Sequence, residues 1–503
     1  MRRFNPLSAS SLKLLRFVRA LCVVILPLGS SIVLLLVRAF SPHVTTKRIK
    51  AEEAAPCCPL PSASASQPRF SFAQLREFIT PHAPYASSSL RFASFLPSLG
   101  TTTTHATEVP AAYPTLEEFE YQFEALARKF PQLVHRQIIG VSTAGQRPLW
   151  AMRLSDHAQT DEDEPAILFT ALHHAREPAG VFICKALMEE LLNNYGQSAR
   201  HTRLLDSLDI WFVPLVNPDG YDFIMKSQRQ FPWWRKNLRD NDNDGRFNPL
   251  IDGVDLNRNY DYNWQEGGEG ETGSWFYRGR SAFSETEIQA LRDLEVRRNF
   301  VIGVSFHSYG EAVLYPWGNF NPAPDQDLIL DIAENYAAQI GRLNSRATYA
   351  VLPLNGRVGQ SSVWMYGASS VIDFICETGE DYFPAPQELP RIVAENVRGG
   401  MFLLERALYS GISGHVREAQ TGVPLDAEIS VEGRAASYVK PRHAEGKHGR
   451  FDRLLLPGTY TISIRKSGFR TQRREHVVVN DSALTYVQVT LQRETASPSI
   501  TSH

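Results

Sequence analysis

Two histidines and one glutamate are the residues whose types and spacing best suit metal chemistry. His174 and Glu177 lie three positions apart, directly after an apolar run that predicts a buried strand. His307 ends a second apolar run, and ligands bind at the carboxyl ends of strands in α/β sheets. Imidazole and carboxylate are both good zinc ligands. Alone, the His-x-x-Glu pair indicates a surface helix and His307 a hydrogen-bonded core histidine, so the prediction needs all three.

Six motifs follow one another in a fixed order along the chain. They are His174-x-x-Glu177, Asn217-Pro218-Asp219-Gly220-Tyr221, Trp234-Arg235-Lys236-Asn237, Asp255-Leu256-Asn257-Arg258-Asn259, His307-Ser308-Tyr309 and Glu377-Thr378-Gly379. With this set, the stretch from about Tyr113 to Leu408 resembles the zinc carboxypeptidases of the pancreatic carboxypeptidase family. The resemblance implies a zinc enzyme that hydrolyses the C-terminal peptide bond of peptides and proteins.

The same resemblance implies a role for each residue of the reaction centre. His174, Glu177 and His307 would bind zinc and leave a fourth position for water, as catalytic zinc sites do. Glu377 matches the general base that takes a proton from this water and returns it to the leaving amine. Arg235 matches the arginine that polarises the scissile carbonyl and stabilises the developing oxyanion.

Further residues match substrate-binding positions of the family. Asn257 and Arg258 match the pair that binds the free C-terminal carboxylate, and a guanidinium can bind a carboxylate through two parallel hydrogen bonds. Arg176 matches a further subsite arginine, and Ser308 and Tyr309 belong to the substrate-binding motif. These matches imply an exopeptidase, with peptide C-termini as its partners.

The chain departs from the family where a mobile tyrosine normally binds substrate. Counted without gaps, Asn355 stands at the tyrosine position and Val363 where an acidic residue is usual. Either a gap brings Tyr349 or Tyr366 into use, or the substrate is bound differently. Ser362 stands where an aspartate marks specificity for basic residues, which favours the hypothesis of a neutral or apolar C-terminal residue.

A second cation is suggested by Asp240-x-Asp242-x-Asp244-Gly245. These alternating carboxylates resemble the opening of a calcium loop, whose ligands are oxygens. Ile251 occupies the twelfth position, where such a loop carries a bidentate glutamate. The pattern therefore favours a solvated acidic turn, with calcium as the alternative.

The N-terminal part of the chain predicts targeting to the secretory pathway. Residues 1–40 combine basic residues with an apolar run from Leu21 to Val37, which is typical of a signal peptide or a signal-anchor. Residues 41–112 are rich in Ser, Thr, Pro and Ala and predict a low-complexity leader or linker. We therefore expect a secreted protein, or one anchored by this apolar segment with its catalytic domain outside the cytosol.

Residues 113–408 predict a catalytic domain with an α/β fold whose sheet is covered by helices on both faces, and the family resemblance implies that this sheet is mixed. Ala166–Ala171 and Ile210–Val216 are almost continuously apolar and predict buried strands. Val181–Leu192 and Asp327–Leu343 predict helices between such strands, and this alternation is typical of a sheet that is covered on both sides.

The pattern changes after Leu408. Residues 411–493 show short alternating runs separated by turn pairs such as Pro457-Gly458, which predict a small all-β sandwich. Gly414-His415-Val416 and Leu455-Leu456-Pro457-Gly458-Thr459-Tyr460 resemble the transthyretin-like domain of many carboxypeptidases. Residues 494–503 form a tail.

Composition limits the alternatives. The chain has 503 residues, 43% hydrophobic and 21% charged, with a net charge of −2, which indicates a globular protein that does not bind nucleic acid by bulk electrostatics. Because the family's tyrosine is missing, a catalytically impaired peptide-binding protein is one alternative. The complete set of predicted metal ligands and the general base argue against it. A related zinc amidohydrolase is a further alternative, which the Asn257-Arg258 pair opposes.

Overall fold

The computed structural model of the chain describes residues 109–227, 229–317, 321–354 and 358–494. The expected signal or anchor segment, most of the expected leader, Asn355 and residues 495–503 of the tail lie outside this range. Among the residues described, no helix combines the length and apolar character needed to span a bilayer.

The helices pack on the two faces of a large sheet. They are α1 (Leu116–Lys129), α2 (Ala179–Asn194), α3 (Ala199–Leu205), α4 (Pro218–Lys226), α5 (Thr286–Arg298), α6 (Gln326–Ala338), α7 (Ser361–Ser369) and α8 (Leu389–Arg406). A 3₁₀ turn at Leu256–Arg258 carries one of the candidate motifs.

The strands form this large sheet and two small sheets that follow it. In the large sheet they are β1 (Val134–Val141), β2 (Pro148–Leu154), β3 (Ala166–Ala171), β4 (Asp209–Val213), β5 (Ile302–His307), β6 (Ala312–Tyr315), β7 (Ala350–Pro353) and β8 (Ile372–Glu377). In the small sheets they are β9 (Gly411–Glu418), β10 (Glu428–Val431), β11 (Arg442–His443), β12 (Arg450–Leu454), β13 (Gly458–Arg465), β14 (Gln472–Val479) and β15 (Leu484–Leu491).

The large sheet is mixed, as predicted. Its eight strands run in the order β1-β2-β4-β3-β5-β8-β6-β7. The central strands β4, β3, β5 and β8 are parallel, whereas β2 and β6 join this block antiparallel. Apolar residues of α5 and α7 cover one face, and those of α2, α6 and α8 cover the other. The predicted α/β fold with helices on both faces is confirmed.

The parallel block positions the candidate site. Every residue of β3 and of β5 is buried, which accounts for their continuous apolar sequences. Because β5 pairs with both β3 and β8, the carboxyl ends of all three strands lie side by side. His174 follows β3, His307 ends β5 and Glu377 ends β8.

Two predicted elements end earlier than their apolar patterns indicate. Strand β4 ends at Val213 because Pro214 has no N–H to continue the ladder. Helix α6 ends at Ala338 and not at Leu343. The N–H of Gly341 donates to Glu395 at 2.8 Å, and the N–H of Leu343 donates to Glu311 at 2.5 Å, so side chains replace the helical acceptors.

The two small sheets run in the orders β11-β10-β13-β14 and β12-β9-β15. One apolar core joins them, with Ile412 and Val489 from the three-stranded sheet and Ile429 and Ile462 from the four-stranded sheet. Two sheets that share a core form a sandwich, so the predicted all-β unit is confirmed as a fold.

Buried charges connect this sandwich to the large sheet and its helices. Arg453 on β12 forms two hydrogen bonds of 2.6 and 2.7 Å with Asp325, which directly precedes α6. The guanidinium of Arg442 donates to the backbone carbonyls of Asn299, Ser369 and Asp452. The sandwich therefore contributes charged groups to an interface that excludes water.

One buried carboxylate of this fold predicts a pH-dependent stability. Glu287, in the first turn of α5, accepts a hydrogen bond from the Thr143 hydroxyl. Burial, and then the nearby Glu285, raise the pKa of Glu287 from 4.5 to about 7. Between these pH values the folded chain keeps a proton that the unfolded chain has released, so this group lowers the free energy of unfolding as pH rises.

We therefore expect Glu287→Gln to become more stable relative to wild type as pH rises, by up to about 3 kcal/mol across this window. Urea denaturation at several pH values measures the difference, with exposed Glu334→Gln as the control. A Glu287→Gln stability difference that is the same at every pH would contradict the expectation.

Candidate functional site

Three ligand atoms converge at the carboxyl ends of β3 and β5. The Nδ1 of His174 lies 2.8 Å from the Oε2 of Glu177 and 3.0 Å from the Nδ1 of His307. The Nδ1 of His307 lies 2.9 Å from the same Glu177 oxygen. All three residues are buried, at 2–3% exposed. The structure thus brings together the three predicted metal ligands, although His307 lies 133 residues from His174 and 130 from Glu177 in the sequence.

The donor set fits zinc. In a tetrahedral site with zinc bonds of about 2.0 Å, ligand atoms lie roughly 3.3 Å apart, a few tenths of an ångström more than here. Burial lowers the pKa of His307 to about 4, so its imidazole is neutral and has a lone pair for a metal. A cation shared by the three atoms would satisfy two facing imidazole nitrogens and a buried carboxylate at once.

Asp255 connects the metal-binding residues to an arginine. Its Oδ1 lies 3.1 Å from the Nε2 of His174, and its Oδ2 accepts the Nε–H of Arg235 at 3.0 Å. Burial opposes ionisation, but Arg235, Arg258 and His174 hold the pKa of this carboxyl well below its usual range. Asp255 was not among the residues to which the sequence motifs gave a role. Two signals could have identified it. Asp255 belongs to the Asp255-Leu256-Asn257 motif, and metal-binding histidines are commonly hydrogen-bonded to a carboxylate.

Glu377 lies beside the metal ligands because of strand register. It is the direct partner of His307 in the pairing of β5 with β8. Paired residues on neighbouring strands point to the same face of a sheet with their Cβ atoms about 5 Å apart. Glu377 is half-buried, whereas the ligands are buried, which places its carboxylate at the border between the metal site and solvent.

The guanidinium groups of Arg235 and Arg258 both lie over one aromatic ring. The guanidinium carbons lie 5.3 and 5.4 Å from the centre of the Phe276 ring. The Nη1 of Arg235 lies 3.6 Å from the Oε1 of Glu177, and the Nη1 of Arg258 donates to the carbonyl of Asn257 at 2.7 Å. Two guanidinium groups next to the metal ligands form a site suited to anionic oxygens.

Asn257 is directed inward. Its side-chain oxygen accepts the N–H of Ser361 at 2.9 Å, and its Nδ2 lies 3.3 Å from the Nε2 of His307. The residue is 2% exposed. The structure therefore places Asn257 against the metal ligand and the start of α7, whereas the neighbouring Arg258 is half-buried.

The remaining predicted substrate-binding residues lie at an aromatic rim. The guanidinium of Arg176 lies 4.0 Å from the ring centre of Tyr382 and 5.9 Å from that of Trp275. The ring of Tyr309 contacts Tyr382 at 4.8 Å between centroids. Ser308 is buried, and its backbone N–H donates to Glu177 at 3.3 Å.

Neither candidate replacement for the family's tyrosine presents its hydroxyl to the site. The hydroxyl of Tyr349 accepts the N–H of Gly379 at 3.2 Å and is buried behind that loop. The hydroxyl of Tyr366 donates to Asp325 at 3.0 Å, at the interface with the sandwich. The structure therefore favours the other alternative, a different mode of substrate binding, and Asn355 lies outside the described residues.

The acidic loop after Arg239 brings three carboxylates together. Ligand oxygens of Asp240, Asp242 and Asp252 lie within 4.8 Å of one another. Each carboxylate accepts backbone N–H groups of its own loop, for example Gly245 at 2.9 Å for Asp240. These hydrogen bonds account for the loop conformation, which fits the predicted acidic turn.

Sequence comparisons agree with this geometry. The sequence model of a family described as "Zinc carboxypeptidase" matches residues 120–399. Carboxypeptidase A2 of Mus musculus is 33% identical over 293 residues, which are 56% of this chain and 66% of the mouse protein, just under two thirds. Carboxypeptidase A1 of Sus scrofa is 32% identical over 310 residues, which are 58% of this chain and 70% of the pig protein.

A solved structure shows the same fold. The carboxypeptidase A from Helicoverpa armigera superposes with a TM-score of 0.52 at 25% identity, over 58% of this chain and 73% of that one. The matched regions include all the candidate site residues, because these lie between His174 and Glu377, inside residues 120–399.

Proposed function

The chain belongs to the zinc carboxypeptidase family, and from this membership we propose that it is a zinc-dependent exopeptidase that removes C-terminal residues from peptides and proteins. One observation carries the proposal. Three ligand atoms, His174 Nδ1, Glu177 Oε2 and His307 Nδ1, converge within 3.0 Å of one another, and Glu377 is the register partner of His307. A metal site and a general base therefore share one edge of the sheet.

The proposed chemistry divides between the metal and the side chains. Zinc, when bound by His174, Glu177 and His307, supplies Lewis acidity that lowers the pKa of a water molecule. Glu377 takes the proton of the attacking water and returns it to the amine that leaves. Arg235, held through its Nε by Asp255, directs its remaining N–H groups to the oxyanion of the scissile carbonyl.

Arg258 determines that cleavage occurs at the chain end. Its guanidinium and that of Arg235 both lie over the ring of Phe276. We propose that Arg258 binds the free C-terminal carboxylate of the substrate. We propose that Asn257, which contacts His307, holds the 3₁₀ turn that carries Arg258 in place. Arg176, Ser308 and Tyr309 border the path of the residues before the scissile bond.

We expect Arg258→Ala to lower kcat/KM for a peptide with a free C-terminus roughly 10- to 100-fold, mainly through KM, because a charge-assisted hydrogen bond contributes about 1.5–3 kcal/mol. Steady-state kinetics on one blocked dipeptide measures the loss, with exposed Arg280→Ala as the matched control. An unchanged KM in Arg258→Ala would show that a different cationic residue binds the C-terminal carboxylate of the substrate.

The remaining parts of the chain are proposed on sequence grounds. We propose residues 1–40 as a signal peptide or anchor, residues 113–408 as the catalytic domain and residues 411–493 as a transthyretin-like sandwich. Secretion, or anchoring with the catalytic domain outside the cytosol, follows from the first of these. The buried contacts of Arg442 and Arg453 support a stabilising role for the sandwich.

The preference for the C-terminal residue of the substrate is proposed from Ser362. This residue is fully buried and uncharged, so we propose preference for a neutral or apolar C-terminal residue. One experiment tests the zinc-dependent activity and the residue preference together. It measures the release of free amino acids from blocked peptides ending in Phe, Leu, Arg or Glu, with and without a zinc chelator. Chelator-sensitive release is expected, fastest from Phe or Leu. Fastest release of Arg would overturn the preference, and no release from zinc-loaded protein would overturn the activity.

A further inference from the structure

A chain of buried hydrogen bonds leads away from His307 on the side opposite its metal-facing nitrogen. The Nε2 of His307 lies 3.0 Å from the Oγ of Ser305, and this hydroxyl lies 3.1 Å from the Nδ1 of His173. The Nε2 of His173 lies 2.9 Å from the hydroxyl oxygen of Tyr260. All four residues are at most 2% exposed. The chain therefore excludes water from the back of the metal ligand.

The direction of these hydrogen bonds depends on the proton of His307. Hydroxyl groups and a neutral imidazole each donate one hydrogen bond and accept another, so the chain can run either way. A metal at the Nδ1 of His307 requires the ring proton on Nε2. This N–H then donates to Ser305, the Ser305 hydroxyl donates to His173, and the Nε2–H of His173 donates to Tyr260. The side-chain N–H₂ of Asn257, 3.3 Å from the Nε2 of His307, can only donate, so with the proton on Nε2 it packs against the ring and Ser305 is the acceptor.

We propose that Ser305, His173 and Tyr260 are positioning residues for His307, an inference that rests on the zinc site of the proposed function. They provide the acceptor for the Nε2–H of His307 and hold the ring so that its Nδ1 faces Glu177 and His174. Such hydrogen bonds behind a metal-binding histidine fix both its tautomer and its orientation.

Packing makes the chain rigid. The rings of His173 and His307 are stacked, with centroids 5.5 Å apart and planes at 25°. The carbonyl of His173 accepts the side-chain N–H of Asn217 at 3.2 Å, and the ring of Tyr260 contacts that of Trp364 at 5.8 Å. His173 and Tyr260 are therefore held in place by Asn217 and Trp364 as well as by their contacts within the chain.

The two metal-binding histidines differ in their support. The Nε2 of His174 faces the carboxylate of Asp255, which can only accept when ionised and so keeps the proton of His174 on Nε2. The chain behind His307 consists of groups that both donate and accept, so it can reverse without breaking a hydrogen bond. Binding of zinc at Nδ1 selects the direction in which His307 donates to Ser305.

The test is the zinc affinity of Ser305→Ala, measured by competition with a chromophoric chelator in the full-length protein. We expect affinity to fall roughly 10- to 100-fold, the usual effect of losing such a partner. The d–d absorption spectrum of the Co²⁺-loaded protein should change as well, because the ligand field reports the orientation of His307. Ser305→Thr, which keeps the hydroxyl, should restore both.

Thr170→Val is the matched control. Thr170 is the register partner of Ser305 on β3, it is also buried, and its hydroxyl donates to the carbonyl of Val304. Its replacement should leave the zinc affinity and the Co²⁺ spectrum unchanged. The double variant His173→Phe/Ser305→Ala should bind zinc no more weakly than Ser305→Ala alone, because both changes interrupt one chain.

The outcomes separate this inference from the proposed function. Wild-type zinc affinity and an unchanged Co²⁺ spectrum in Ser305→Ala, or an equal loss in Thr170→Val, would overturn the positioning role while leaving peptidase activity intact. Zinc binding that weakens in Ser305→Ala in a protein that hydrolyses no peptide would support the positioning role and overturn the proposed function. A wild-type protein that binds no zinc would overturn both.

Discussion

Replacement of Glu377 by Gln should lower kcat for peptide hydrolysis roughly 10²- to 10⁴-fold while leaving the zinc content unchanged. The amide keeps the shape of the side chain but cannot accept the proton of the attacking water. Because Glu377 pairs with His307 across β5 and β8 and is not one of the three converging ligands, the metal should remain bound. Steady-state kinetics with metal analysis of the same samples measures both quantities.

Glu380→Gln is the matched control for this variant. Glu380 lies three residues further along the same loop, is exposed, and accepts a hydrogen bond from Asn344 at 2.8 Å. Its replacement should leave kcat close to that of wild type. A Glu377→Gln protein with a normal kcat would show that another group acts as the general base. A Glu377→Gln protein that has lost its zinc would show that Glu377 is a metal ligand.

Breaking the ion pair between Arg453 and Asp325 should destabilise the full chain by about 3–5 kcal/mol, because removal of one partner leaves the other charge buried. The two side chains are 6% and 1% exposed and lie 2.6 Å apart. Asp325→Leu is the more informative single change, since it leaves the Arg453 guanidinium without its carboxylate. Urea denaturation gives the change in free energy of unfolding.

An exposed ion pair of the same sandwich provides the comparison. Arg473 and Glu432 lie 2.7 Å apart but are 48% and 51% exposed, so Glu432→Leu should change stability far less than Asp325→Leu. The double variant Asp325→Leu/Arg453→Leu should recover part of the lost stability, because neither charge of the pair stays buried, while the Tyr366 hydroxyl still loses its acceptor. Equal small losses for Asp325→Leu and Glu432→Leu would show that water reaches the interface of the sandwich.

The sequence predicts the parts of this site that depend on local pattern. The apolar runs before His174 and His307 predict that both residues lie at strand ends, and the parallel pairing of β3 with β5 brings those ends together. The alternation of apolar strands with helices predicts the covered α/β sheet, and the change to short alternating runs after Leu408 predicts the C-terminal sandwich.

Features that depend on register and side-chain direction could not be predicted in this way. The pairing of Glu377 with His307, and of Thr170 with Ser305, depends on the alignment of strands far apart in sequence. His173 sits in an apolar run and has the pattern of a core histidine, and only the fold places it next to Ser305.

The position of the family's mobile tyrosine shows a second limit. Counting positions in the sequence left Tyr349 and Tyr366 as candidates, because it does not reveal where a hydroxyl points. Burial and hydrogen bonding show that Tyr349 supports Gly379 and that Tyr366 supports Asp325. Substrate binding at this position must therefore use groups other than these two hydroxyls.

The most direct test of the central claim is the stepwise shortening of one N-blocked peptide, followed by mass spectrometry, in two forms. One form has a free C-terminal carboxylate and the other a C-terminal amide. With zinc-loaded protein we predict loss of single residues from the free end of the first form only, because Arg258 requires a carboxylate. Cleavage inside either peptide, or equal shortening of both, would contradict the assignment of this chain as an exopeptidase.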